Sequence, residues 1–408
     1  MSGIASRLKT PKTRAGDFQR RVSVEIRREF LPLSRPAVGE EEIEAVAASL
    51  RSGWITSGPR VAELEERFRA LTGAPHAVAV ASATAGMHIV LAALGVGPGD
   101  EVVTPSLTFA STANQIALRG AVPVFADSDY GTLQVDPGDL ARRITARTKA
   151  VVPVHFAGAP ADLDPIRAAA DRAGVPVIED AAHAVGTAYR GRPAGGHGNV
   201  AVYSFHPIKN ITTGEGGMVT CFDDGLAKTL RLLRFHGIER DAWQRYGKGG
   251  TPHYDIRAPG YKYNLTDIQA AIGVVQMRKV ERLNARRADL AARYLSGLRG
   301  VAGIDLPVSP PYPHEHSWHL FIVKVAAMDR DAFIGRLAEY NIGVGLHFPP
   351  CHLLSFVRER YGTKAGDLPG CERAASRILS LPLFPGMADA DVDYVCAAVR
   401  EILAEARA

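Results

Sequence analysis

Three clusters of polar residues stand where apolar runs end. Ser82-Ala83-Thr84-Ala85-Gly86 follows Ala77 to Ala81 and precedes a helical pattern opening near Met87. Small residues and hydroxyls there let backbone N–H groups converge on an anion, with the helix dipole adding attraction; an ordinary helix N-cap has the same pattern. Glu179-Asp180-Ala181-Ala182-His183 follows Val175 to Ile178. An acid that ends a buried strand needs a cation or donor to offset its desolvation. Ser204-Phe205-His206-Pro207-Ile208-Lys209-Asn210 ends a third run and leads into Gly214-Glu215-Gly216-Gly217. A lysine in a Gly-rich turn is commonly just solvated, but this one accompanies an anion cradle, a buried carboxylate and a serine. Pyridoxal phosphate chemistry requires that set. A lysine amine forms a Schiff base with the aldehyde, a carboxylate keeps the ring nitrogen protonated, and backbone amides and hydroxyls hold the phosphate. The pyridine face also needs an aromatic cover. Phe109, closing Pro105-Ser106-Leu107-Thr108-Phe109, is the candidate; by itself it reads equally as a core aromatic.

Other chemistries lose support. The chain has no GxxxxGK[ST] phosphate loop, no GxGxxG after a strand, no GxSxG elbow and no HExxH. His314, His316 and His319 lie close together, with Glu315 as the one neighbouring acid, and read as loop and strand histidines, so no metal is expected. Cys221, Cys351, Cys371 and Cys396 are far apart and read as reduced, buried residues.

The elements that must position these residues follow from the apolar runs. Ala77 to Ala81, Glu101 to Thr104, Val122 to Ala126, Ala150 to Val154, Val175 to Glu179, Val200 to Ser204 and Gly217 to Cys221 predict seven strands. Helical patterns such as Met87 to Leu94 and Leu163 to Ala173 fill several gaps, which predicts an α/β class with a mostly parallel sheet covered on both faces. Open α/β sheets bind ligands at the C-terminal ends of their strands, where all three clusters fall. A long helical stretch runs from about Leu265 to Leu298, with Ile268, Ala271, Ile272, Val275, Val280 and Leu283 at helical spacing. After a Pro-rich break at Pro307 to Pro313, the pattern predicts a strand at His319 to Val325, a helix at Asp331 to Glu339, a strand at Val344 to Phe348 and a closing helix at Asp389 to Ala404. The expected organisation is a basic, flexible extension over residues 1–29, a large cofactor-binding domain over 30–265, and a connecting helix with a small α/β domain over 266–408.

Composition agrees with a folded chain: 408 residues, 46% hydrophobic and 22% charged. Residues 1–30 carry eight Lys/Arg against Asp17, Glu25 and Glu29, an excess equal to the +5 of the whole chain. The basic character therefore belongs to a tail and not to a nucleic-acid groove. No apolar run is long enough to span a bilayer, and the basic start lacks a secretory pattern, so a cytoplasmic protein without membrane insertion is expected. The tail reads as a disordered or appended extension, or else as a peripheral contact with anionic membrane.

Further motifs carry a resemblance. Ser52-Gly53-Trp54-Ile55-Thr56-Ser57-Gly58-Pro59, Ser82 to His88, Pro105 to Thr108, His155 to Asp162, Glu179 to Gly186, Ser204 to Asn210, Gly260-Tyr261-Lys262-Tyr263-Asn264-Leu265-Thr266-Asp267 and Gly345-Leu346-His347-Phe348 occur in order. From about Phe30 onward the chain resembles the DegT-type nucleotide-sugar aminotransferases, and most resembles the branch that aminates UDP-4-keto-L-arabinose in lipid A modification, a lipopolysaccharide pathway of polymyxin resistance. The resemblance implies the aspartate-aminotransferase fold (fold type I) and a homodimer with shared active sites. It implies Lys209 as the cofactor-linked lysine and proton shuttle, Asp180 at the pyridine nitrogen and His183 against the ring. Ala83, Thr84 and Ser204 would bind the phosphate and Phe109 would stack, where the arabinose branch carries Trp. Lys262 or Asn264 would reach the partner's cofactor phosphate. Thr56, His347, Lys262 and Arg257 would contact substrate. The implied reaction moves the amino group of glutamate, which leaves as 2-oxoglutarate, through pyridoxamine phosphate to the C4 ketone of a UDP-sugar. Another UDP- or dTDP-linked ketosugar, aminated at C3 or C4, is the alternative. A sugar dehydratase is disfavoured because histidine replaces the lysine there, and an inert paralogue because Lys209, Asp180 and Ser204 are intact.

Overall fold

The computed structural model describes residues 24–239 and 253–407. Seven strands, β1 (His76–Val80), β2 (Glu101–Pro105), β3 (Val122–Ala126), β4 (Thr148–Val151), β5 (Ile178–Asp180), β6 (Val200–Ser204) and β7 (Gly217–Cys221), correspond one for one to the apolar runs. Strands β3-β2-β4 pair in parallel, as do β5 and β6, while β7 lies antiparallel between β6 and β1. Parallel bridges Val151↔Val177 and Val154↔Asp180 join the two groups, giving one sheet in the order β3-β2-β4-β5-β6-β7-β1. Every residue of β2, β6 and β7 is buried. Both faces are covered, so these strands are mostly apolar rather than alternating, with Glu101, Thr104, Ser204 and Thr220 as buried exceptions.

The principal helices are α1 (Glu40–Arg51), α2 (Pro59–Thr72), α3 (Ala83–Ala93), α4 (Ser111–Leu118), α5 (Leu163–Ala173), α6 (Asp224–Arg234), α7 (Asp267–Leu298), α8 (Arg330–Glu339) and α9 (Asp389–Glu405). Leu64 and Phe68 of α2 and Ala270 and Val274 of α7 pack with Ala77, Ala79, Ala201 and Tyr203 on one sheet face. Met87 and Val90 of α3 and Leu230 of α6 pack with Val78, Val80, Val202 and Val219 on the other. The pleat's two-residue period sorts neighbouring residues to opposite cores. A smaller antiparallel sheet, β8 (Ile304–Asp305), β9 (Phe321–Val325) and β10 (Ile378–Leu381), has β9 in the middle and packs with α7, α8 and α9 around Phe321, Phe333, Tyr340 and Val395.

Two segments differ from the sequence expectation. Val344 to Phe348 is not a strand: it keeps one bridge, Gly345↔Ser380, and then passes along the large sheet's open end into Pro349-Pro350, which have no N–H to donate. Of the segment expected to extend freely, residues 1–23 lie outside the described residues. Residues 24–29 rest on α9 and its neighbours. The Val24 N–H donates to Glu401 (3.1 Å), the Arg27 N–H to the Tyr394 hydroxyl (3.1 Å), and the Arg27 guanidinium pairs with Asp391.

One carboxylate organises the loops beside the site. Asp267, 1% exposed at the start of α7, accepts the first N–H groups of α2 from Val61 (3.0 Å) and Arg60 (3.2 Å). Ser57 donates to the Leu265 carbonyl (2.6 Å) and accepts from the Asn264 amide (2.7 Å). Residues 56–58 and 262–267 are thereby stitched together.

Candidate active site

The C-terminal ends of β1, β2, β5 and β6 open on a cavity of about 330 Å³ lined by Ala83, Thr84, Phe109, Asp180, His183, Ser204, Lys209 and His347, all singled out in the sequence. At one end lies the start of α3. The Ser82 hydroxyl accepts the Ala85 N–H (3.1 Å), which caps the helix, and leaves the N–H groups of Ala83 and Thr84 at the helix end to meet a ligand. Gly217 makes this approach possible, since a Cβ there would stand 2.6 Å from the Ala83 nitrogen. Thr84 and Ser111 share a hydrogen bond between their hydroxyls (2.7 Å), and Ser111 opens α4, so two helix starts meet at one corner of the cavity that Ser204 also lines.

Asp180 ends β5. It accepts from the Ala182 N–H (3.1 Å) and the Thr112 hydroxyl (3.2 Å). Burial raises its pKa above the ordinary carboxylate value, against the pull of those donors and of the Lys209 charge. The carboxylate is thus short of partners for its charge. Lys209 sits in the turn after β6, its N–H bonded to the His206 carbonyl (2.9 Å). The next residue, Asn210, is anchored by its amide to Asn284 of α7 (2.8 Å) and to the Ser317 carbonyl (2.7 Å). Part of the lysine is accessible from the cavity, but its amine lies deep, and burial pushes its pKa down to about 8 despite the Asp180 charge.

His183 accepts the Ala157 N–H at Nδ1 (3.3 Å), so its ring proton sits on Nε2. It stacks on Phe348 with ring centroids 5.9 Å apart. Burial, with the nearby Lys209 and His347, holds it well below the usual histidine pKa. His347 shares a hydrogen bond with Ser380 (2.8 Å) and is pushed down to about 4, mainly by burial. Phe109 is 62% exposed and touches Phe348 at 5.8 Å, so it is a rim aromatic and not a core one. Among the described residues that line the cavity, Lys209 is the only Lys or Arg.

Four sequence candidates stand outside this cavity. Lys262 donates to Asn264 (2.6 Å) and lies over the Phe235 ring (4.3 Å). Asn264 is tied to Ser57, and the Thr56 carbonyl accepts the Asp267 N–H (3.1 Å). Arg257 pairs with Glu239 (3.1 Å) and Asp255 (3.2 Å). Thr112, Ser111 and Phe348 line the cavity without having been assigned a role from sequence. Thr112 and Ser111 follow Phe109 at the start of α4, which was the available signal.

Behind Asp180, Glu179 and His155 form a fully buried pair (2.9 Å). Burial alone would raise the Glu179 pKa; hydrogen bonds from His155, the Gly195 N–H and Asn199 more than offset it and leave it lowered. His155 accepts the Ala161 N–H at Nδ1 (3.1 Å), so Nε2 donates to Glu179. We expect His155→Ala, which strands a buried carboxylate, to cost about 3 to 5 kcal/mol in chemical denaturation. A depressed carboxyl pKa contributes stability that is present above its unfolded value and lost as pH falls through the folded one, so the deficit should shrink in acid.

The model of the DegT/DnrJ/EryC1/StrS aminotransferase family matches residues 36–400. Among solved structures, the aminotransferase TlmJ from Streptoalloteichus hindustanus is 38% identical, with 93% of this chain and 100% of that chain covered and a TM-score of 0.85. DesV of S. venezuelae is 37% identical, with 89% and 94% covered and a TM-score of 0.82. A Streptococcus pneumoniae protein described as a sugar aminotransferase, in its PLP form, is 32% identical, with 92% and 99% covered and a TM-score of 0.86.

Proposed function

Because the chain belongs to the DegT/DnrJ/EryC1/StrS aminotransferase family and is a pyridoxal-phosphate-dependent sugar aminotransferase of fold type I, we propose that Lys209 carries the cofactor and that the enzyme transfers the amino group of glutamate to the C4 ketone of a nucleotide-linked sugar, UDP-4-keto-L-arabinose being the first candidate. The observation that carries this reading is that Lys209 and an under-partnered Asp180 face one cavity with a hydroxyl-lined helix start at its end.

The residues fit the cofactor. A protonated ring nitrogen is the donor Asp180 lacks, and the starts of α3 and α4 with Thr84, Ser111 and Ser204 offer N–H and O–H groups to a phosphate. Phe109 and His183 offer faces to an aromatic ring. When bound, pyridoxal phosphate supplies an aldehyde for covalent capture of amines and a cationic ring that withdraws electrons. With the cofactor bound, the Lys209 amine would take the α-proton of glutamate and would return a proton to the sugar carbon in the second half-reaction. A pKa of about 8 leaves both its forms populated near neutral pH, as a proton shuttle requires. Asp180, ionised against the ring nitrogen, keeps that nitrogen charged, with Thr112 fixing the carboxylate's orientation.

Among the described residues, the cavity of one chain offers a dianionic phosphate no lysine or arginine besides Lys209. This supports a homodimer in which Lys262 or Asn264, stitched to residues 56–58, serves the partner's site. Thr56, Arg257, Lys262 and His347 are the proposed substrate contacts, His347 from within the cavity and the others from the same loop region. Purified holoenzyme given glutamate alone is expected to release one 2-oxoglutarate per site and lose its visible band. It is then expected to aminate UDP-4-keto-L-arabinose faster than other UDP- or dTDP-ketosugars. A completed glutamate half-reaction with a different preferred sugar would reject the arabinose assignment while keeping the chemistry.

A further inference from the structure

His319 lies just before β9 and is 2% exposed, yet among the described residues neither of its ring nitrogens has a hydrogen-bond partner. A neutral imidazole has one donor and one acceptor, and burying both unsatisfied is costly. Native interiors rarely tolerate such a group without a ligand or a role. Its ring packs on the ring of His183 with centroids 4.3 Å apart. The same segment is fixed from three sides. The Arg287 guanidinium of α7 donates to the His319 carbonyl (3.3 Å), Asn210 beside Lys209 donates to the Ser317 carbonyl (2.7 Å), and the Leu320 N–H donates to the Ala157 carbonyl (3.2 Å).

A second, separate observation concerns a void that His319 also lines. A small void of about 10 Å³ is lined by His319, Ser34 and Ile208, the residue before Lys209, with leucines completing it. The Ser34 hydroxyl is also buried without a partner among the described residues. Two residues with orphaned polar atoms thus line one void, whose volume is about that of a single probe sphere and whose other walls are aliphatic. A void of that size with two or more polar partners holds one water, and a dry void of the kind left in apolar cores would have no such groups.

We propose that one water molecule, held between the Ser34 hydroxyl and a ring nitrogen of His319, is a built-in part of the site, and that His319 so held is a positioning residue for His183 and Lys209. The charged or titratable groups that face His319 are His183, Lys209, Arg287 and His347, every one a cation when protonated. Protonation of His319 would add a like charge to this group, so the ring stays neutral, as its strongly lowered pKa also indicates. A neutral ring with its water presents dipoles to the lysine's surroundings and fixes the face on which His183 rests. The proposal deepens the reading of Lys209 as the cofactor-bearing residue and rests on it.

Two variants and one structure test it. His319→Phe keeps a flat ring but removes both nitrogens, and Ser34→Ala removes one partner of the water. With two polar neighbours lost, the nitrogen linking lysine and cofactor is less well solvated in its protonated form. The pH midpoint of the visible spectrum of the holoenzyme should therefore fall by about half a unit or more in His319→Phe, roughly a threefold change in the proton equilibrium. It should fall by less in Ser34→Ala. Thermal unfolding of His319→Phe should be unchanged or later, which separates a positioning role from a merely structural one. Midpoints identical to wild type in both variants overturn the positioning role. If His319→Phe does not fold, Ser34→Ala alone decides it. A high-resolution crystal structure of the wild type should show the water bonded to both side chains; a dry void, or a His319 nitrogen bonded to protein, overturns the water site. Failure of the underlying reading is distinct, because the wild-type holoenzyme would then show no lysine-linked band to titrate.

Discussion

Lys209→Ala is expected to abolish the visible band of the lysine-linked cofactor and to lower turnover by roughly 10⁴-fold or more, if Lys209 is the cofactor-bearing residue proposed above. The size follows from losing two functions at once, covalent anchoring and proton transfer, the second alone being worth about 10²- to 10⁴-fold. Absorbance of the dialysed variant and initial rates with glutamate measure the two losses separately. A variant with the wild-type spectrum would remove Lys209 from the mechanism. The wild-type amine gives an independent check in the apoenzyme. Capture of pyridoxal phosphate needs the neutral amine, and burial sets its pKa at about 8. The capture rate should therefore rise with pH through about 8 and level off above it, well before an ordinary lysine would be neutral.

Asp180→Asn is expected to bind cofactor with close to normal occupancy and to turn over roughly 10³-fold more slowly. The amide keeps the shape and still accepts from Thr112 and the Ala182 N–H, but its neutral oxygen no longer holds a proton on the ring nitrogen. Loss of one pre-organised electrostatic partner in a water-poor site is worth about 10² to 10³ in rate. Single-turnover conversion with glutamate, followed spectrally, isolates this step from product release. A near-normal rate would mean that some other group holds the ring nitrogen's charge.

The large sheet was legible because its strands are buried on both faces and so appear as uninterrupted apolar runs; Val200 to Ser204 is one such run and is fully buried as β6. Lys209, Asp180, Ser204 and Thr84 could be found because each ends a run or lies within a few residues after one, and the ends of such runs lie together in a sheet of this class. What the sequence could not convey was side-chain direction. Phe109 follows the end of β2 and could as well have pointed into a core, yet it stands 62% exposed at the rim. Val344 to Phe348 has strand composition, but the Pro349-Pro350 pair and its single bridge to Ser380 leave it as a wall of the cavity. The pairing of Glu179 with His155 and the hold of Thr112 on Asp180 join residues 24 and 68 positions apart, and no local pattern encodes them. His319 was noticed only as one of three neighbouring histidines; the three diverge, with His316 stacked on Trp318 and His319 turned inward against His183.

The double acceptance of α2's first N–H groups by Asp267 has a practical side. That carboxylate belongs to the helix following the Lys262–Asn264 segment, and it grips the helix that follows Thr56. If those loops contact the sugar as proposed, its acceptance could be tuned by altering their pose from Asp267, which does not line the cavity, leaving Lys209 and Asp180 untouched.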